Sequence, residues 1–171
     1  MSESAKILVR NARDQDLPAV AEIDSETSSL YDSAEKLVTF EHQLTAFPNG
    51  FIILVADNEI AAYACSEKWL TERRPRVGEN PLLTHQPDGR IFWISHMAVK
   101  NRYRGQGYQA RILDKMLEIA HQEGCRKIIL QTSQDRDLYL ARGFQTVQQR
   151  DPQGLNKEVM ALEIVSYGSK A

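Results

Sequence analysis

Ile91-Phe-Trp-Ile-Ser-His-Met-Ala-Val99 runs straight into Lys100-Asn-Arg-Tyr-Arg-Gly-Gln-Gly107. Behind the glycines, Tyr108, Ile112, Leu113, Met116, Leu117 and Ala120 recur at mostly three- and four-residue spacing. The first run is aromatic and β-branched enough to be a strand, and the recurrence places an apolar stripe on a helix that Gly124 ends. Lys127-Ile-Ile-Leu-Gln-Thr132 follows as a strand apolar enough to be buried on both faces. Strand, helix and strand in this order make a crossover, the connection that joins parallel neighbours in one sheet.

Outward from this unit most of the other connections are short. Ile7-Leu-Val-Arg-Asn-Ala12 reads as a strand, and Asp16 is the expected N-cap of a helix with Pro18 in its first turn and Leu17, Val20 and Ile23 on one side. Leu37, Phe40, Leu44 and Phe47 mark a second helix, stopped by Pro48-Asn-Gly50. Phe51–Ala56, Asp57-Asn58 and Ile60–Cys65 read as a β-hairpin. Leu70–Arg90 carries Pro75, Pro81, Pro87, Gly78 and Gly89 among charges without periodicity, which predicts a long surface loop. Loops of that length are uncommon unless functional. After Thr132 a short helix runs to Arg142 and Gly143 stops it. Phe144–Gln149 and Glu158–Val165 then form a closing pair joined through Asp151-Pro-Gln-Gly154. Helices segregated among hairpin-linked strands predict an α+β fold with a mixed, mostly antiparallel central sheet of about seven strands.

At 171 residues the chain fits one domain over 1–171. Hydrophobic residues make up 42% and charged ones 26%, which excludes fibrous and wholly disordered classes. With 21 Lys plus Arg against 23 Asp plus Glu, the charge of -2 recruits neither nucleic acid nor an acidic membrane, so any basic site must be local. No apolar run approaches the ~18 residues of a membrane span, and the first ten residues carry acids unlike a secretory or transit segment, so a cytoplasmic location is expected. Cys65 and Cys125 lack a CxxC partner or a histidine at ligand spacing, and read as buried reduced thiols with no metal.

The glycine-rich turn is the strongest chemical signal. A strand, a turn with two glycines and a helix start aim free amides and a helix dipole at one spot, and Arg102 and Arg104 add charge. A diphosphate suits such a site, since each hydrogen bond to a charged oxygen contributes roughly 1.5–3 kcal/mol. A second motif, Tyr139-Leu-Ala-Arg-Gly-Phe144, follows the next strand.

Together the two motifs resemble the GNAT superfamily of N-acetyltransferases, with a looser likeness to its arylalkylamine branch. The family signature is Arg or Gln, two residues, Gly, one residue, then Gly or Ala, between a strand and a helix. Two registers compete. Arg102 to Gly107 fits literally but sits too close to the strand; Arg104-Gly-Gln-Gly107-Tyr-Gln109 keeps the family's distance from Val99 and is preferred, although Gln109 then replaces the second small residue. The resemblance covers Ile91 to about Val147 well, the preceding hairpin loosely, and the N-terminal helices only in order.

The resemblance implies acetyl-CoA as cosubstrate, lying where the sheet splays between the strand ending at Val99 and the strand Lys127–Thr132. Backbone of Met97, Ala98 and Val99 would pair with pantetheine. Arg104 and the amides of Gly105, Gln106, Gly107, Tyr108, Gln109 and Ala110 would hold the diphosphate. The Met97 amide would polarise the thioester carbonyl, and Tyr139 would be the general acid for the departing thiolate. The arylalkylamine branch carries His-Ser on the strand where this chain has Ser95-His96. His96 is the candidate base, though strand alternation turns it away unless a bulge intervenes. Ser95, or Glu67 through water, would come next. His85-Gln-Pro87-Asp-Gly89 is similar to a stretch of the same branch and equally fits a plain turn. Trp69 and Trp93 suit a pocket wall or the core, and Glu26, Asp32, Glu35 and Glu41 suit either an acidic amine pocket or a solvated face.

The expected activity is direct acetyl transfer to a small-molecule primary amine in a ternary complex. A peptide N-terminus or a lysine is the alternative acceptor, and a non-catalytic CoA-binding sensor or partner module is the alternative of another class. A homodimer is compatible, since dimers are frequent in the family.

Overall fold

In a computed structural model the strand predicted at Ile91–Val99 forms with those bounds and takes the middle place in a seven-stranded sheet. The structure describes residues 6–27, 33–73, 76, 78–132, 135–148 and 158–164. The strands are β1 (Ile7–Asn11), β2 (Ile52–Ala56), β3 (Glu59–Trp69), β4 (Ile91–Val99), β5 (Lys127–Thr132), β6 (Gln145–Gln148) and β7 (Glu158–Glu163), ordered β1-β2-β3-β4-β5-β7-β6. Only β4 and β5 pair in parallel, across the crossover that the sequence predicts. The helices are α1 (Leu17–Thr27), α2 (Ser33–Ala46), α3 (Pro81–Thr84), α4 (Tyr108–Gln122) and α5 (Arg136–Ala141).

Two apolar layers hold the sheet. The stripe of α4, with Ile112, Leu113, Met116 and Ala120 wholly buried, packs on one face against Ala62, Ala64 and Phe92. Val20, Ile23 and Phe40 of α1 and α2 cover the other face over Phe51, Ile53, Tyr63 and Cys65. The β2–β3 turn at Asp57 and Asn58 has φ of 50° and 66°, the double left-handed turn that suits a tight hairpin and that Asp and Asn tolerate.

Several boundaries differ from expectation, each for a long-range reason. β3 does not end at Cys65 but continues to Trp69, because Lys68 and Trp69 pair with Phe92 and Ile91 of β4. Asp16 is not the side-chain cap of α1. It lies in a 3-10 turn and accepts from the Arg10 guanidinium at 2.8 and 3.0 Å and from the Arg13 amide at 2.8 Å, since a bidentate arginine outcompetes a neutral amide at a helix start. The closing pair is shorter than predicted, and Gln149, Val165 and the joining Asp151–Gly154 fall outside the described residues.

The segment after β3 is a loop, as read, but it is docked rather than free. It contains α3, and Arg73 stacks 3.8 Å above the Trp69 ring while bonding both oxygens of Glu79. Beyond the reach of β2, the outer edge of β3 is covered by this loop. Lys68 N–H donates to His85 Nδ1 at 3.0 Å, Gln86 N–H donates to Lys68 O at 2.7 Å, and the imidazole stacks on Phe47. Here His85-Gln-Pro87-Asp-Gly89 acts as a substitute strand edge.

That contact makes a pH prediction. His85 accepts through Nδ1, so it is neutral here, and burial with the nearby Lys68 charge depresses its pKa. A histidine depressed on folding contributes stability that is full above about 6.5 and lost as pH falls through the lower folded value. The protection factors of the Lys68 and Gln86 amides, measured against their intrinsic exchange at each pH, should therefore fall on acidification below about pH 6. His85→Ala should flatten this response, and protection independent of pH would refute the assignment.

Candidate active site

β4 and β5 pair through four registered positions, the last being Ile94 with Leu130, and Ser95 to Val99 run on without β5 beside them. In this stretch the backbone direction follows from one bond. Lys100 N–H donates to Ala61 O of β3, so by alternation Ala98 and His96 also face β3, whereas Met97 and Val99 turn their amides and carbonyls into the opening. Of the three residues assigned to pantetheine, Met97 and Val99 present backbone groups there and Ala98 does not. The Met97 amide points away from β3.

The register of β3 on β4 shifts between Cys65 and Ser66, which makes Ser95 the extra residue of a bulge. His96 therefore stands opposite Cys65, on the α1–α2 face, with its ring 5.3 Å from Phe40. Ser95 donates to Cys65 O and touches its sulfur. The bulge supplies the turn of the chain that the reversed Ser-His order demands.

Below the opening, Gly105 and Gly107 both have φ of 80° and a Cβ on either would meet nothing within 4 Å, so the left-handed backbone alone requires glycine. Gly107 caps α4 without a side chain, and residues 105–110 donate no backbone hydrogen bond to another backbone group among the described residues. These are the orphan donors of a helix start, facing an exposed basic turn. The two candidate arginines differ. Arg102 pairs with Glu59, which also binds Lys100 Nζ at 2.9 Å and Tyr103 Oη at 2.7 Å. Arg104 is exposed and has no ion pair among the described residues, which favours the register that begins with it. Glu26 accepts from Asn101 N–H at 2.7 Å, tying α1 to this turn rather than lining a pocket.

The second motif closes on the first. Tyr139 is buried beside Phe144, and Gln109 Nε2 lies 3.5 Å from its hydroxyl and 3.2 Å from Asp135 Oδ2. Burial pushes the Tyr139 phenol up to about 12, against the opposing donor from Gln109. The contact between Gln109 and α5 is invisible in the sequence, where Gln109 registers only as a departure from a small residue.

Elsewhere on the α1–α2 face, Trp69 and Trp93 stack at 5.4 Å and belong to the core. Glu67 is buried and its carboxylate accepts from Trp69 Nε1 and Thr84 Oγ1; burial raises its pKa despite both donors. It anchors α3 to β3. A cleft of about 280 Å³ opens nearby between Glu72, Arg73, Ile129, Val147 and Val159. Glu41 is exposed, while Asp32 and the Glu35 side chain fall outside the described residues. Cys65 and Cys125 are buried and free, and no group of three or more His, Cys, Asp or Glu among the described residues is placed to hold a metal. No helix among them is long and apolar enough to cross a membrane.

A mixed sheet whose parallel strands part after Ile94 and Leu130, with free strand amides and a glycine-shaped helix start, offers a site suited to an anionic ligand that pairs with strand backbone. The model of the acetyltransferase (GNAT) family matches residues 17–144, and the chain belongs to that family. It is thus an acyltransferase whose cosubstrate is acetyl-CoA. Among solved structures it resembles the loading GNATL domain of CurA from Lyngbya majuscula, with a TM-score of 0.76 and 15% identity over 92% of this chain and 98% of that one. It also resembles yncA from Salmonella typhimurium, solved with acetyl-CoA, at a TM-score of 0.69 and 15% identity over 95% and 96%. A third likeness is the ribosomal-protein-S18-alanine N-acetyltransferase from Escherichia coli, at 0.68 and 17% over 97% and 99%. No curated protein matches by sequence. At these identities the structural likenesses speak for the fold alone.

Proposed function

We propose that the protein acetylates a primary amine of a small molecule by direct attack in a ternary complex. A small acceptor is supported by a cleft of about 280 Å³ lined by Glu72 and Arg73 from the segment after β3 and by Ile129, Val147 and Val159 of β5, β6 and β7. That volume is at the small end for ligand sites.

The residues present fit acetyl-CoA, with open amides at residues 105–110, an Arg104 that has no ion pair among the described residues, and the Met97 and Val99 backbone turned into the opening. Acetyl-CoA, when bound, supplies an acetyl group activated as a thioester. Met97 N–H donates to the carbonyl oxygen as negative charge grows there. His96, half-buried on the α1–α2 face, takes the proton that the amine must lose, as histidine side chains commonly do in general-base roles. Glu67 is less suited, since Trp69 and Thr84 already donate to its carboxylate. Tyr139 gives its phenolic proton to the leaving sulfur, and the proton released by the attacking nitrogen restores the balance.

The test is thiol release from acetyl-CoA over a panel of small primary amines and short peptides. Release driven by small amines and not by peptides is the expected result. Turnover confined to peptides would overturn the acceptor class, and acetyl-CoA binding without turnover on any acceptor would overturn catalysis.

A further inference from the structure

The family pattern wants a small residue at position 109, and this chain places a glutamine there whose side chain leaves the helix start and reaches α5. Its orientation is settled by chemistry. Asp135 Oδ2 can only accept, so the atom 3.2 Å from it is the amide nitrogen, and a primary amide carries two hydrogens. One serves Asp135. The other points at the Tyr139 hydroxyl 3.5 Å away, which must accept it through oxygen and is left with its own hydrogen free for another partner. Asp135 is itself held for this purpose. It sits in the left-handed conformation at φ 59°, and its carboxylate does not cap α5 but faces Gln109.

We propose that Gln109 is a positioning residue for the acid: its amide, clamped by Asp135, donates to the Tyr139 oxygen, keeps the phenolic hydrogen available for transfer and steadies the phenolate left behind. When the O–H bond breaks and the S–H bond forms, negative charge arises on the oxygen that Gln109 already faces. The inference rests on Tyr139 being the general acid. It also accounts for tolerance of a large residue at 109, because the side chain occupies the gap to α5 rather than the space above the glycines.

The experiment compares Gln109→Glu, nearly the same shape but without the donor, and Gln109→Leu with the wild type and Tyr139→Phe. In ligand-free protein labelled at tyrosine Cζ, the Tyr139 resonance, assigned by its loss in Tyr139→Phe, should move in both Gln109 variants, with the thermal midpoint little changed in Gln109→Leu. On turnover, kcat should fall about three- to tenfold in Gln109→Leu and further in Gln109→Glu, where a carboxylate meets the developing phenolate. The KM for acetyl-CoA should change less than twofold. A Gln109→Glu enzyme with wild-type kcat and an unmoved resonance beside a crippled Tyr139→Phe would overturn the inference alone. An active Tyr139→Phe would overturn it together with the general-acid reading.

Discussion

Tyr139→Phe should lower kcat by about 100-fold or more, the usual contribution of a positioned proton donor, with little change in the KM for acetyl-CoA. The structure sharpens this expectation. A phenol at its ordinary value near 10 would give its proton to a thiolate of about 8.5 at a cost of roughly 2 kcal/mol. Burial against Phe144 and the α4 start pushes Tyr139 up to about 12, so the same transfer is uphill by about 5 kcal/mol. The high value has two consequences. The phenol stays protonated at every pH at which the protein would be assayed, so Tyr139 contributes no alkaline decline. The pH profile of kcat/KM should instead rise to a plateau as the base and the amine lose their protons. Stability should barely change, since among the described residues the hydroxyl's hydrogen-bond partner is Gln109, at a long 3.5 Å. Steady-state kinetics with thermal denaturation check both points, and wild-type turnover in the phenylalanine variant would remove Tyr139 from the chemistry.

Gly89→Ala should be strongly destabilising. A Cβ there would lie 2.6–2.7 Å from the backbone N, C and O of Trp69, so no side chain can move aside and the loop must lift from β3. The cost should reach about 3 kcal/mol, the upper part of the overpacking range, or on the order of 5–10 °C in thermal midpoint for a chain of this size. Gly124→Ala is the control. Its φ of 72° imposes only the ~1–2 kcal/mol of a left-handed residue, and nothing lies within 4 Å of its added carbon. Because Gly89 closes the segment that frames the cleft, Gly89→Ala should also raise the KM for the amine while leaving acetyl-CoA binding intact. Equal midpoints for the two variants would show that Gly89 is not pressed on Trp69.

How far the fold could be read depended on how local each signal is. The bounds of β4 and β5 and the start of α4 follow from runs of apolar residues, from a stripe at helical period, and from glycines whose positive φ only they adopt cheaply. The hairpin at Asp57-Asn58 is of the same kind. Asp16 failed as a cap because Arg10, on another element, claimed it. β3 outran its apolar run because β4 offered partners as far as Trp69. The loop looked structureless because its bonds go to Lys68, Trp69 and Glu67 rather than to its own neighbours.

For the site the division is similar. By itself the sequence determined the strand, glycine turn and helix that leave amides open, the tyrosine motif after the next strand, and hence the family and its acetyl-CoA chemistry, since each is written within a few consecutive residues. Only the tertiary structure decided which way Met97 and His96 face, through a bond from Lys100 to β3 and a bulge at Ser95. It also decided which arginine keeps its charge for the opening, because Glu59 of the hairpin takes Arg102. And it joined Gln109 to Tyr139. These depend on groups far apart in the chain, whose distance and orientation no local periodicity encodes.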